Sequence, residues 1–189
     1  MSELDDLRRR VDRLEARAEI AELVSAYAIA CDDHDMARLI SLFTDDAVLD
    51  TPSGLMRAVG KQAINDLFIR TFKIRGPSFH WTHDHFVTPG DDADDATGLV
   101  LAHAETSPGN EVSLAAMRYR DAYRREAGTW RFARREISFL YYVPARDFAT
   151  ALASPTRLTV QGRRQPSDYP ESLPAWQEFA RAHGDGAAS

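Results

Sequence analysis

Phe79-His80-Trp81-Thr82-His83-Asp84-His85-Phe86-Val87 is where the chain changes period. Before this stretch apolar residues recur every three or four positions; from it onward they alternate, which is the pattern of half-buried strands. Alternating segments over 79–88, 97–106, 111–126 and 129–143 are separated by Pro89-Gly90-Asp91-Asp92, Ser107-Pro108-Gly109-Asn110 and Ala127-Gly128. Successive strands joined by short polar turns predict an antiparallel meander.

The residues ahead of the meander read as helices. Leu4, Leu7, Val11 and Leu14 form the apolar stripe of an amphipathic helix, and Ile20, Leu23, Val24, Tyr27 and Cys31 form the seam of a second helical stretch that runs close to, or into, the first. Asp35 is placed to cap a short helix carrying Met36, Leu39, Ile40 and Phe43. Ala47-Val48-Leu49 and Leu55 to Val59 read as short strands around the Thr51-Pro52-Ser53-Gly54 turn, and a helix follows from Lys61 to Phe72. Helices first and a meander after them predict an α+β domain, its helices packed on one face of a strongly curved, mostly antiparallel sheet. Residues 1–145 are read as that domain. From Pro144 on, prolines and small residues dominate, so 146–189 is read as an extended C-terminal tail with a short helix over 176–182. Phe148, Leu152, Tyr169, Leu173, Trp176 and Phe179 would anchor it over a pocket mouth or on a neighbouring subunit.

Composition narrows the function classes. The 189 residues, 44% hydrophobic and 28% charged, make one ordinary globular domain plus a tail, large enough to enclose a small ligand. A net charge of −6 argues against a nucleic-acid or anionic-membrane surface, and Arg8-Arg9-Arg10 reads as a solvated helix face. No apolar run reaches the roughly 20 residues of a membrane span, and the first residues lack a signal-peptide core, so a cytoplasmic location is expected. Cys31 lies on an apolar seam and reads as core. With no Gly-rich phosphate loop, paired CxxC or GxSxG, no cofactor is expected. His83-Asp84-His85 has the HxH spacing of a strand metal site, but no Glu follows at a matching distance, and no metal is expected.

One carboxylate stands where a helix does not want it. Asp32 falls at the end of the second helical stretch, where the helix dipole disfavours an acid by roughly 0.3 to 1 kcal/mol. Steps of four from Val24 through Ala28 reach Asp32, so it flanks the buried seam and can point inward. Strand alternation puts His80, Thr82 and Asp84 on one face and Trp81, His83 and His85 on the other, unless a bulge intervenes. In the last strand Ala133, Arg135, Ile137, Phe139, Tyr141 and Val143 share an apolar face, with Arg134, Glu136 and Ser138 opposite. Arg135 is then either snorkelling at a sheet edge or paired inside. Met117, Tyr119, Asp121 and Tyr123 share a face of the strand before it.

Ala18-Glu19-Ile20-Ala21-Glu22-Leu23, Tyr27, Asp32, Leu42-Phe43, Asp46-Ala47-Val48, Gly60-Lys61, His80 to Asp84, Tyr119-Arg120-Asp121 and Gly128-Thr129-Trp130-Arg131-Phe132 follow one another in order. With these motifs the chain resembles, over about residues 15–145, the SnoaL-like branch of the nuclear-transport-factor-2-like superfamily. Its look is that of scytalone dehydratase, bile acid 7α-dehydratase and lindane dehydrochlorinase. The resemblance implies a cone-shaped α+β barrel around a deep pocket and a lyase that eliminates water or HCl with an Asp-His dyad. Carried over, the dyad is Asp32 and His80; Tyr27 matches a polar pocket position and Arg135 a late-strand arginine, with Arg134 the alternative by one register step. Asp84 stands where relatives often carry Asn. Trp81, Asp84, Phe86, Met117, Tyr119 and Phe139 are the expected lining for a small, hydrophobic, cyclic substrate. A homo-oligomer is implied, a trimer before a dimer. A ketosteroid-isomerase-like isomerase, an epoxide hydrolase, or a non-catalytic assembly subunit like the small subunit of ring-hydroxylating dioxygenases are the alternatives.

Overall fold

The computed structural model describes residues 2–184. The two helical stretches ahead of the meander are one helix, α1 (Glu3–Asp32). Its start is fixed by a capping box: the Ser2 hydroxyl accepts from the Asp5 N–H and the Asp5 carboxylate accepts from the Ser2 N–H, a device worth about 1 kcal/mol. Only the second half is buried, through Ile20, Leu23, Val24, Tyr27, Ala28 and Cys31; Leu4, Leu7, Val11 and Leu14 face solvent. α2 (Met36–Ser41) is capped by Asp35, which accepts from the Arg38 N–H. β1 (Phe43–Asp50) and β2 (Arg57–Val59) pair antiparallel, and α3 (Lys61–Arg75) buries Ile64, Phe68 and Phe72 at steps of four.

The meander follows as β3 (Ser78–Pro89), β4 (Asp95–Thr106), β5 (Ser113–Glu126) and β6 (Thr129–Pro144). The sheet order is β2-β1-β6-β5-β4-β3, antiparallel along this path except where β1 joins β6 in parallel, and α3 carries the chain from β2 at one end of it to β3 at the other. The mixed sheet curls round the helices, with α1 packed across β3 and β6. Tyr27, Phe43, Phe68 and Phe132 knit helices to sheet in the core, with ring centroids 5.4 to 6.5 Å apart.

Three bulges reset the alternation. In β3 the pairing steps from Thr82↔Ala102 to His85↔Val100, one extra residue on β3. His85 and Val87 therefore turn inward with His80 and Thr82, while Asp84 and Phe86, which an unbroken strand would put beside His80, turn out. In β6 the pairing steps from Tyr123↔Phe132 to Ala122↔Arg134, and from Met117↔Phe139 to Ala116↔Tyr141. The expected single face from Ala133 to Val143 is thus broken. Arg135, Ile137 and Phe139 stay with the main core, whereas Tyr141 and Val143 join Ala116 and Ala151 in a separate cluster on the other side.

That second side carries the chain after the meander. α4 (Phe148–Ala151) packs there, β7 (Leu158–Val160) adds to β6 at Tyr142, and β8 (Arg163–Gln165) pairs with β7. Arg157, 3% exposed, ties the segment together by donating to the Leu140, Ser154 and Tyr169 carbonyls, the Ser167 hydroxyl and the Glu171 carboxylate. The helix expected over 176–182 is α5 (Pro174–His183). No helix among the described residues is long and apolar enough to cross a membrane.

Candidate active site

The last residue of α1 meets the third residue of β3. The Asp32 carboxylate accepts the His80 backbone N–H at 2.9 Å through Oδ2, and its Oδ1 lies 2.6 Å from His80 Nδ1 and 3.3 Å from the Ser78 hydroxyl that donates to it. The two side chains are only 16% and 7% exposed. Burial pushes the Asp32 carboxyl up, but its hydrogen bonds to the His80 ring and backbone, the imidazole charge and the Ser78 hydroxyl outweigh this and hold it below the usual carboxylate range. An ionised carboxylate only accepts, so Nδ1 carries the hydrogen and Nε2 is the ring atom able to take a proton. The acid at a helix C-terminus is thus compensated by three donors rather than by a cation.

A second polar group lies deeper. Arg135, fully buried, donates from Nε and Nη2 to the two Asp121 oxygens at 2.9 and 2.7 Å. Its guanidinium carbon lies 4.1 to 4.3 Å from the ring centres of Tyr27, Tyr119 and Phe132. Burial works against the Arg135 charge, but Asp121 outweighs it and keeps the guanidinium firmly protonated. Asp121 Oδ2 also accepts the Tyr123 hydroxyl at 2.8 Å, and the Tyr123 hydroxyl oxygen in turn accepts from His85 Nε2 at 3.1 Å. Burial raises the Tyr27 and Tyr119 hydroxyls well above the ordinary phenol range, so both stay protonated. Cys31, one residue before Asp32, is pushed up to about 11 by burial and is a closed thiol.

The structure therefore brings Asp32 to His80, and Tyr27, Tyr119 and Arg135 to one another, with Met117 against the Tyr119 hydroxyl and Phe139 paired across the strands with Met117. Of the two candidate arginines Arg135 faces the interior; Arg134 is outside, bonded to Asp50 and Glu136. Trp81, Asp84 and Phe86 are corrections to the expected lining. Trp81, 53% exposed, alternates with His80 and Thr82 ahead of the bulge and so faces outward, whereas Phe86, 70% exposed, and the exposed Asp84 turn out because the β3 bulge gives the inward positions to His85 and Val87. Asp121 and Arg75 were not singled out from the sequence. The shared face of Tyr119, Asp121 and Tyr123 signals the first; nothing marks the second, since a cation in a last helical turn is ordinary. His83 and His103 hydrogen-bond on the outer side at 2.8 Å, and no metal-type cluster of three side chains occurs among the described residues. Two surface clefts open elsewhere. One, about 190 Å³, lies between the first half of α1 and the β3–β4 turn, and the other, about 360 Å³, between α2 and the start of α3.

The sequence model of the SnoaL-like domain matches residues 12–136. The chain belongs to the SnoaL-like family. This SnoaL-like chain is 31% identical over 139 residues to gamma-hexachlorocyclohexane dehydrochlorinase of Sphingobium indicum, a match covering 71% of this chain and 86% of the relative. Among solved structures it is similar to the type 2 hexachlorocyclohexane dehydrochlorinase LinA, with 26% identity, a TM-score of 0.67 and coverage of 71% and 92%. The type 3 enzyme of Novosphingobium barchaimii gives 26% identity, a TM-score of 0.66 and coverage of 71% and 93%. These SnoaL-like relatives share the cone of helices on a curled sheet described above.

Proposed function

We propose that this chain is a lyase that removes water or a hydrogen halide from a small, hydrophobic, cyclic molecule, with His80 as general base and Asp32 as the group that orients it. The observation supporting this is the 2.6 Å contact between an ionised carboxylate and His80 Nδ1, both side chains largely buried. In its neutral form His80 takes a proton from a substrate carbon at Nε2. The electrons of that C–H bond form the new carbon–carbon double bond, the bond to the leaving group breaks, and the leaving group departs with its electron pair. Asp32 fixes the tautomer beforehand and offsets the imidazolium charge afterwards. The Tyr27 hydroxyl and the Arg135 Nη1, which has no partner among the described residues, are assigned to the departing negative charge. Met117, Tyr119 and Phe139 provide apolar lining. The step needs no group beyond the chain's own residues.

Relatives named for dehydrochlorinating hexachlorocyclohexane favour halide as the leaving group. Because the open clefts lie elsewhere, the reading requires the aromatic packing about Tyr27 and Tyr119 to yield when substrate enters. Residues 1–145 form the catalytic domain and 146–189 an accessory tail. A cytoplasmic homo-oligomer, trimeric rather than dimeric, completes the reading.

The test is incubation of the protein with gamma-hexachlorocyclohexane and with cyclic β-hydroxy ketones, followed by product mass and halide release. A product lighter by HCl or water, with kcat/KM lowered about 10²- to 10⁴-fold in His80→Ala, supports the lyase. An unchanged mass would make it an isomerase, a gain of water a hydrolase. Biological activity indifferent to His80→Ala would make it a binding subunit.

A further inference from the structure

Arg75 closes α3 and is half-buried, with one edge of its head group turned away from water. Its Nε and Nη2 are both buried and neither has a partner among the described residues, while the guanidinium carbon lies 4.9 Å from the centre of the Phe72 ring. Its charge acts to lower the Tyr27 and Tyr119 hydroxyls and the Cys31 thiol, so it lies within electrostatic reach of the groups that surround Arg135. Gly76, at φ +63°, turns the chain directly from Arg75 toward Ser78 and His80.

Two observations say what this cation is for. The first is charge. Asp121 neutralises Arg135, and Asp32 is occupied by His80 and Ser78, so Arg75 is left over. Two guanidinium donors held out of water without an acceptor are costly, and a ligand that brings a charged acceptor relieves the cost. The second is shape. Nε–H and Nη2–H lie on one edge of a guanidinium, point the same way, and match the two oxygens of a carboxylate. Arg135 already uses this edge on Asp121; in Arg75 the same edge has no partner among the described residues.

We propose that Arg75 is a carboxylate receptor of the proposed site, so that the substrate is a small cyclic carboxylic acid bound as its anion. This rests on the site proposed above but not on the elimination chemistry. Isothermal titration of the full chain with cyclohexanecarboxylate and with the isosteric cyclohexanecarboxamide, at one low salt concentration, tests it. The carboxylate is expected to bind at least about tenfold more tightly than the amide. Arg75→Gln should bring the two within about twofold of each other, and Arg75→Lys, which keeps the charge but not the fork, should keep an intermediate preference. Circular dichroism checks the fold of each variant, and Arg75→Lys carries the test if Arg75→Gln does not fold. Equal affinity in the parent protein, failure of both ligands to bind, or a preference that survives Arg75→Gln would overturn the proposal. Arg75-dependent carboxylate binding without any elimination sinks the lyase alone. Elimination from neutral rings with kcat/KM unchanged in Arg75→Gln sinks the receptor alone.

Discussion

At the residue scale, the chain handles three interior charges in different ways. Asp32 is ionised because several donors converge on it, and that has a consequence for pH. A carboxyl lowered in the folded state contributes stability above its unfolded value of about 3.9, and loses it as pH falls through the lower folded value. The urea midpoint of Asp32→Asn should therefore fall furthest below the parent's near pH 6, and the gap should narrow toward pH 3. A gap that stays constant would mean that packing, not charge, holds α1 to β3. Arg135 and Asp121 are a fully buried pair, and removing one partner strands the other. Asp121→Leu and Arg135→Met should each cost about 3 to 5 kcal/mol, while the double variant Arg135→Met/Asp121→Leu should cost much less than their sum. Chemical unfolding of the four proteins gives that cycle directly. Additive losses would show that the pair is not one unit.

At the element scale, the period change at residue 79 was enough to place all four meander strands, because alternation of burial is a property of neighbours along the chain. The helical seam from Ile20 to Cys31, and with it the inward setting of Asp32, was legible for the same reason. Bulges were not legible, since an extra residue between Thr82 and His85 is decided by what β4 offers across the sheet, and the sequence of β3 alone does not record it. That is why His80 could be placed and Asp84 and Phe86 were put on the wrong face. The inward turn of Arg75 was hidden too, because it depends on the turn that follows. Gly76, at φ +63° and ψ −161°, sits where only glycine is comfortable, and a Cβ there would meet the Ser107 hydroxyl at 2.6 Å. Gly76→Ala should cost about 1 to 3 kcal/mol. If the α3–β3 turn also sets the position of Ser78 and His80, activity should fall in the fraction that remains folded. A melting temperature equal to the parent's would show that the turn relaxes without strain.

At the scale of the whole molecule, the curled sheet has one side filled by helices and another only partly covered. Residues after Pro144 cover the region of Ala116, Tyr141 and Val143, with Tyr169 under the Arg118 guanidinium at 4.5 Å. Beyond them, Phe79 and Trp81 pack on each other with ring centroids 4.7 Å apart and stand about half exposed, and Phe86 follows further along the strand. Aromatic residues contiguous on one face are rare on a monomer and common where protein meets protein. Alternation turns Phe79 and Trp81 outward and the bulge adds Phe86 to the same outer face, the face on which a second copy is expected to bind. Light scattering after size exclusion should give a mass about three times that of the chain. Trp81→Arg, which places a charge at the centre of this patch, should shift it to one. Because β3 also carries His80, the monomer should lose activity along with assembly, even with its helical circular dichroism intact. A Trp81→Arg protein that keeps the parent's mass would remove this face from the interface and leave Phe79 and Phe86 as solvent-exposed residues without a partner.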